Sequence, residues 1–331
     1  MSFACVRGPG HPDRVCDLVA ASIVEEYLRR DPTSRANIRV CGGHEVLFVA
    51  GEVSSTADFD VSAVARRVLG ANGVSSQVEP FVAIEPMGSS WTQALGTRSA
   101  EAVTGYACLE TPERVPKSVA IARDVARAIE RVRTLDAEWF WLGADYEVTV
   151  DDQGKVPLVI VRAEQVEAKK LNEVREALTK LVRECVSDAE IRINPAGEET
   201  QSGFAKRMGS SGRAPSAVEY GSGLPSNASG AGLHVVHPLN AGAWLARSIA
   251  RRLVHEGHGR AILLQLTWLP LETRPFFIHA RNERGQNVSD KIDQALTDLT
   301  KLPSEWLAPQ LLTNVLRYPF DAATALPWES E

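Results

Sequence analysis

The chain has 331 residues, 44% hydrophobic and 24% charged, an ordinary globular composition with length for two or three domain-sized pieces. The formal net charge of -6 speaks against a nucleic-acid partner, which calls for a basic surface, but leaves small anions open to local basic groups. Five scattered cysteines without a CxxC pair, no signal-like start and no apolar run of about 18 residues predict a reduced, cytoplasmic protein with no membrane association.

In chain order, the first amphipathic helix is predicted over Arg14–Arg30, with Val15, Leu18, Val19 and Ile23 as its apolar stripe. Two β-branched runs follow, Ile38–Val40 and Val46–Val53, separated by Gly42-Gly43, and read as a hairpin. A second helix over Val61–Leu69, capped by Asp60 or Asp58, and a short strand at Phe81–Ile84 complete the unit. The same order returns as helix Pro116–Arg133, hairpin Tyr146–Val150 with Val156–Val161, helix Val166–Cys185 and strand Ile191–Ile193. It returns again as helix Leu239–Glu256, hairpin Ala261–Leu269 with Pro275–Ala280, and helix Val288–Thr300 with Ser289 as its cap. An α/β (α+β) fold of three helix–hairpin–helix units packed about a pseudo-threefold axis buries all three apolar sheet faces. The units fall at residues 1–100, 101–196 and 197–331.

Gly197–His237 fits no regular element and is rich in Gly, Ser and Ala. A loop this long inside a compact chain is either functional or a disordered linker. It carries Lys206, Arg207, Arg213, His234 and His237, and basic side chains among glycine amides can cradle phosphate oxygens.

Gly8-Pro9-Gly10-His11-Pro12-Asp13-Arg14-Val15-Cys16-Asp17 sets a His, two Asp and an Arg around a glycine-rich turn at a helix start. The free N–H groups and partial positive charge of a helix N-terminus suit a phosphate. Asp13 or Asp17 can hold Mg²⁺ through oxygen, and His11 can donate to a developing charge. Plain helix capping by Pro12 or Asp13 explains the same residues. Trp139, Phe140 and Trp141 can stack on a base or serve as core. His255-x-x-His258 and His234-x-x-His237 have metal spacing but lack surrounding Cys or carboxylates.

The N-terminal string resembles the signature that opens S-adenosylmethionine synthetases, and its Cys16-Asp17 ending is closer to their archaeal-type branch. Other stretches are similar to family segments: Val49 to Ser55 around Glu52, Gly105-Tyr106-Ala107 with Glu110-Thr111, Asp151 to Lys155, Ile193 to Gly197, Gly209 to Arg213, and Leu326-Pro327-Trp328-Glu329. The resemblance implies three repeated α/β units and a reaction in which methionine sulfur displaces triphosphate from C5′ of ATP. It further implies Mg²⁺ and K⁺ as cofactors and a site between subunits of a homodimer or higher homo-oligomer. His11 would act at the leaving oxygen, Asp13 and Asp17 at the metal, and Glu52 at the amino-acid ammonium. Arg213, Arg207 and Lys206 would grip phosphate, with Arg98 and His237 as further substrate contacts.

The chain departs from the family pattern at several cations. Arg98-Ser99-Ala100-Glu101 stands for the GDQG-type segment, Ala214 follows Arg213 where a Lys is usual, and Val235–Gly242 lacks the usual Lys pair and Asp. Asp145 and Glu147 stand near the place of a fourth Lys, and only eight lysines occur in the whole chain. One lost charge-assisted contact costs roughly 1.5–3 kcal/mol, so the acceptor or nucleotide can differ from methionine and ATP. The alternative is an altered homologue that binds nucleotide or S-adenosylmethionine, or that serves an active subunit as a non-catalytic partner.

Overall fold

The computed structural model describes residues 3–74, 78–88, 97–214, 220–221, 223–321 and 326–329. The expected elements are present: α1 (Pro12–Arg30), β2 (Arg35–Gly43), β3 (Val46–Ser54), α2 (Val61–Ala71) and β4 (Glu79–Pro86) come first. The second group is α3 (Lys117–Leu135), β6 (Leu142–Asp151), β7 (Leu158–Gln165), α4 (Leu171–Cys185) and β8 (Glu190–Ile193). The third is α5 (Ala243–His255), introduced by a π-turn over Pro238–Gly242, then β10 (Ala261–Trp268) and β11 (Phe277–Asn282); a further helix that was not predicted, α6 (Leu311–Arg317), follows. Asp60 caps α2 as expected, accepting from the Ala63 amide at 3.0 Å.

Three short strands escaped the periodicity reading: β1 (Phe3–Arg7), β5 (Glu101–Cys108) and β9 (Gly209–Ser210). They knit the molecule together. The sheet orders are β4-β3-β2-β9, β1-β6-β7-β8 and β11-β10-β5. Thus β1, which precedes α1, pairs with β6 of the second hairpin, and β5, which precedes α3, pairs with β10 of the third. The glycine-rich segment returns β9 to β2 of the first.

The predicted helix over Val288–Thr300 does not form. Three 3-10 turns, Ser289–Lys291, Gln294–Thr297 and Leu299–Lys301, take its place. Asp293 and Asp298 each cap a fresh turn through Ala295 and Thr300, the competition that Asp offers helix interiors. Ser289 caps nothing there; its hydroxyl accepts from the Ala280 amide of β11. The second unit's later helix starts at Leu171 rather than Val166, and the Gln165 and Val166 amides are bonded to Glu199 and Trp141 carbonyls.

α1 is buried on nearly every side, with 14 of its 19 residues inside, including Asp13, Arg14 and Asp17. Its apolar residues share one core with β2, β3, α2, α5, β10, α6 and Trp328. A second core joins α3, α4, β1, β6 and β7. Trp141 belongs to that core and stacks on Trp139 at 5.2 Å, whereas Phe140 is exposed. No helix among the described residues is long and apolar enough to cross a membrane.

Candidate active site

The turn before α1 continues β1 along β6: the Gly8 amide donates to the Tyr146 carbonyl at 2.7 Å and the Gly10 amide to that of Ala144 at 3.0 Å. A Cβ on Gly10 would lie 2.5 Å from Ala144, so only glycine permits this approach. His11 is the N-cap of α1, its Nδ1 accepting the Asp13 amide at 3.3 Å. The cap is therefore His11, and not Pro12 or Asp13 as the plain capping reading expects. Burial pulls the His11 pKa down to about 4, partly offset by the charge of Asp145, so the ring is neutral at pH 7.

The glycine-rich segment closes over this turn. Asp13 accepts the Ser210 amide at 3.0 Å, and Asp17 accepts the Gly212 amide at 2.8 Å. Gly209 sits so close to α1 that a Cβ would lie 2.2 Å from the Pro12 carbonyl carbon. Ser211 fixes the same stretch to β2, exchanging bonds with Val40 at 2.8 and 2.9 Å. The two regions singled out in the sequence therefore meet, although they are far apart along the chain. Positions 215–219 and 222 of the segment lie outside the described residues.

Arg207 lies beside His11, with Nη2 at 3.4 Å from Nε2, and its Nη1 is 3.0 Å from Asp145. Arg7 pairs with Asp13 at 3.2 Å and reaches Glu147 at 3.7 Å. Lys206 and Arg213 are exposed on the same segment, and neither side chain bonds a described residue. Among the described residues no three His, Cys, Asp or Glu side chains gather as a metal cage. Asp13 keeps some exposure and fits a single carboxylate ligand of a hydrated ion. Asp17 is fully buried, its second oxygen has no hydrogen-bond partner among the described residues, and burial lifts its pKa to about 6 against the Gly212 hydrogen bond. Through its bonded oxygen it anchors the glycine-rich segment to α1.

Glu52, Arg98 and His237 gather elsewhere, around a cavity of about 200 Å³ on the outer face of β2 and β3. Arg98 and Glu52 form a two-armed ion pair at 2.6 and 3.1 Å. His237 is buried and caps the Pro238 turn, accepting the Leu239 amide at 3.2 Å, with His234 packed against it edge-on. Arg35, Asn37 and Arg39 complete the wall. These three were missed, although their alternation with buried Ala36, Ile38 and Val40 is a period-two signal of an outward polar face. Arg39 also links the two clusters, because a Cβ on Gly212 would lie 3.1 Å from its Nη1.

Residues 5–85 match the family model of the S-adenosylmethionine synthetase N-terminal domain, and residues 94–199 that of its central domain, together more than half of the chain. The chain belongs to the S-adenosylmethionine synthetase family. It is 24% identical to the S-adenosylmethionine synthase of Mycoplasma pneumoniae over 297 residues, covering 83% of this chain and 76% of that one. It is 24% identical to that of Rhodospirillum centenum over 346 residues, covering 95% and 89%. The structure of an unusual S-adenosylmethionine synthetase from Campylobacter jejuni shares the fold, with a TM-score of 0.76 at 20% identity, over 99% of this chain and 92% of that chain. Within this S-adenosylmethionine synthetase fold, β1 leads into the turn before α1 and β9 lies in the segment that closes over it.

Proposed function

We propose that the chain is a transferase moving the adenosyl group of ATP, or of a related nucleotide, to methionine or another small nucleophile with release of (tri)phosphate. One observation carries the reading. The glycine-rich segment is hydrogen-bonded onto the first turn of α1, which brings Arg207 against His11 at a helix N-terminus. That end of α1 carries about half a positive charge and suits phosphate oxygens.

In the reaction, the nucleophile's lone pair forms a bond to C5′ while the C5′–O bond breaks and its electron pair stays on the polyphosphate. Charge gathers on the leaving oxygen, so preorganised donors aimed there lower the barrier. His11 and Arg207 are those donors, with Arg213 and Lys206 on the same segment free to grip the outer phosphates. Asp13 would hold Mg²⁺, which when bound neutralises phosphate charge; K⁺ is the second cation implied by the family resemblance. Glu52 and Arg98, paired in the cavity beside β2 and β3, offer a carboxylate to an ammonium and a guanidinium to a carboxylate, matching a zwitterionic acceptor.

The protein is proposed to work in the cytoplasm, consistent with five free cysteines. It is also proposed to act as a homo-oligomer, supported by the outer face of β3 and β4, where Phe48 and Phe81 stack at 5.3 Å and remain exposed. Incubation of pure protein with ATP, methionine and Mg²⁺, read by mass spectrometry and phosphate release, tests the reading. Absence of adenosylated product with methionine and with a panel of other acceptors sinks it. A second reading, nucleotide or S-adenosylmethionine binding without turnover or service as a partner subunit, is favoured by one feature: the Asp145 carboxylate, paired with Arg162 and Arg207, stands near the place where the resemblance implies a lysine. Calorimetric binding without turnover would select it.

A further inference from the structure

Asp145 lies on β6 with a side chain that is fully buried and fully bonded. Oδ1 accepts from Arg162 Nη2 at 2.7 Å. Oδ2 accepts from the Ser202 hydroxyl at 2.6 Å, the Gly203 amide at 2.8 Å and Arg207 Nη1 at 3.0 Å. Arg162 Nη1 closes the ring by donating to Ser202 at 3.0 Å. Of these partners Arg207 is the most exposed, its side chain 40% exposed against 22% for Arg162.

The far arm of Arg207 faces His11 Nε2 at 3.4 Å. A guanidinium has donors and no acceptor. His11 spends its Nδ1 lone pair on the Asp13 amide, so the proton of the neutral ring sits on Nε2. Two N–H donors therefore converge with no acceptor between them. An anionic oxygen placed against both satisfies them together.

We infer that Asp145 is a positioning residue, which clamps one arm of Arg207 so that the other shares a single phosphate oxygen with His11. The inference rests on the adenosyl-transfer reading for the identity of that oxygen. It also makes a prediction opposite in sign to bulk electrostatics. Deleting a carboxylate beside an anion site should tighten anion binding through charge alone, whereas loss of the clamp weakens it.

The test is calorimetry of the full chain with inorganic tripolyphosphate. Asp145→Asn is expected to bind it about tenfold more weakly, the scale of one charge-assisted hydrogen bond. Ser202→Ala, which keeps the carboxylate and loosens it, is expected to weaken binding about threefold, and it decides the question should Asp145→Asn fail to fold. In an Arg207→Gln background neither substitution should weaken binding further. Binding that is unchanged or tighter in both single variants, or weakening that persists in the Arg207→Gln background, overturns the positioning role while the adenosyl-transfer reading stands. No binding by the unmodified protein removes the phosphate site and both readings with it.

Discussion

The backbone amide of Ser210 donates to the side chain of Asp13 across 3.0 Å, joining residues 197 positions apart. Arg7 holds the other Asp13 oxygen at 3.2 Å, so the carboxylate is a junction between β1, α1 and the glycine-rich segment. Asp13→Ala should remove both the hydrogen bond from Ser210 and the ion pair with Arg7, and cost about 2–4 kcal/mol. Hydrogen exchange should show the Ser210 amide losing its protection; an amide as protected as before contradicts the junction.

Two glycines should respond oppositely to the same change. Gly209→Ala forces a Cβ to 2.2 Å from the Pro12 backbone, so the segment must lift off α1. Its expected cost is about 1–3 kcal/mol, with weaker nucleotide binding. Gly70→Ala, on α2 with open space around it, should stabilise by about 0.5–1 kcal/mol. Denaturant midpoints of the two variants check both signs.

Glu52→Gln should break the Glu52–Arg98 ion pair and deprive an acceptor ammonium of its carboxylate. The expected result is a KM for the amino acid raised about tenfold with that for nucleotide little changed. Initial-rate kinetics with each substrate varied in turn reads the split. Equal change in both would place Glu52 outside the acceptor cavity.

Burial lowers the pKa of His234 to about 3 and that of His237 to about 4, with the nearby charges of Arg35 and Arg39 acting the same way. Between pH 6.5, where an unfolded His protonates, and about 4, the unfolded chain binds protons that the folded chain excludes. Stability should therefore be whole above that window and fall as pH drops through it, by at most about 1.4 kcal/mol per pH unit for each ring. His237→Asn keeps a side-chain acceptor for the Leu239 amide and should flatten the slope by one proton. Urea titrations between pH 4 and 7 measure it, and an unchanged slope would refute the assignment.

Arg247 is almost wholly buried and pairs with Glu329 at 2.9 Å through both arms, while Trp328 stacks on Trp244 at 4.5 Å. Arg247→Met leaves Glu329 to Arg251 alone and should cost about 3 kcal/mol. Thermal melts of this variant beside Glu329→Gln test it: a loss under about 1 kcal/mol would show that the C-terminal segment is held by Trp328 rather than by charge.

Some site features were readable before any fold was known because they are local. His11, Asp13 and the glycine turn sit together in ten residues, and Glu52 and Arg98 carried family motifs or stood in their place. Arg162 and Ser202 went unseen, since nothing near them in the chain marks them as partners of Asp145 or Arg207. The failed helix over Val288–Thr300 shows a local limit as well: apolar spacing was there, but Asp293 and Asp298 each drew a backbone amide into a turn.

The amino-acid order by itself determined the amphipathic helices, the three hairpins and the anion-ready turn before α1, because side-chain periodicity and capping act over a few residues. Only the tertiary structure decided which sheet β1, β5 and β9 join, that Asp17 is buried as an anchor, and that Asp145 faces Arg207. Strand edges and buried charges find partners through space, and a pairing across scores of residues leaves no period along the chain to read.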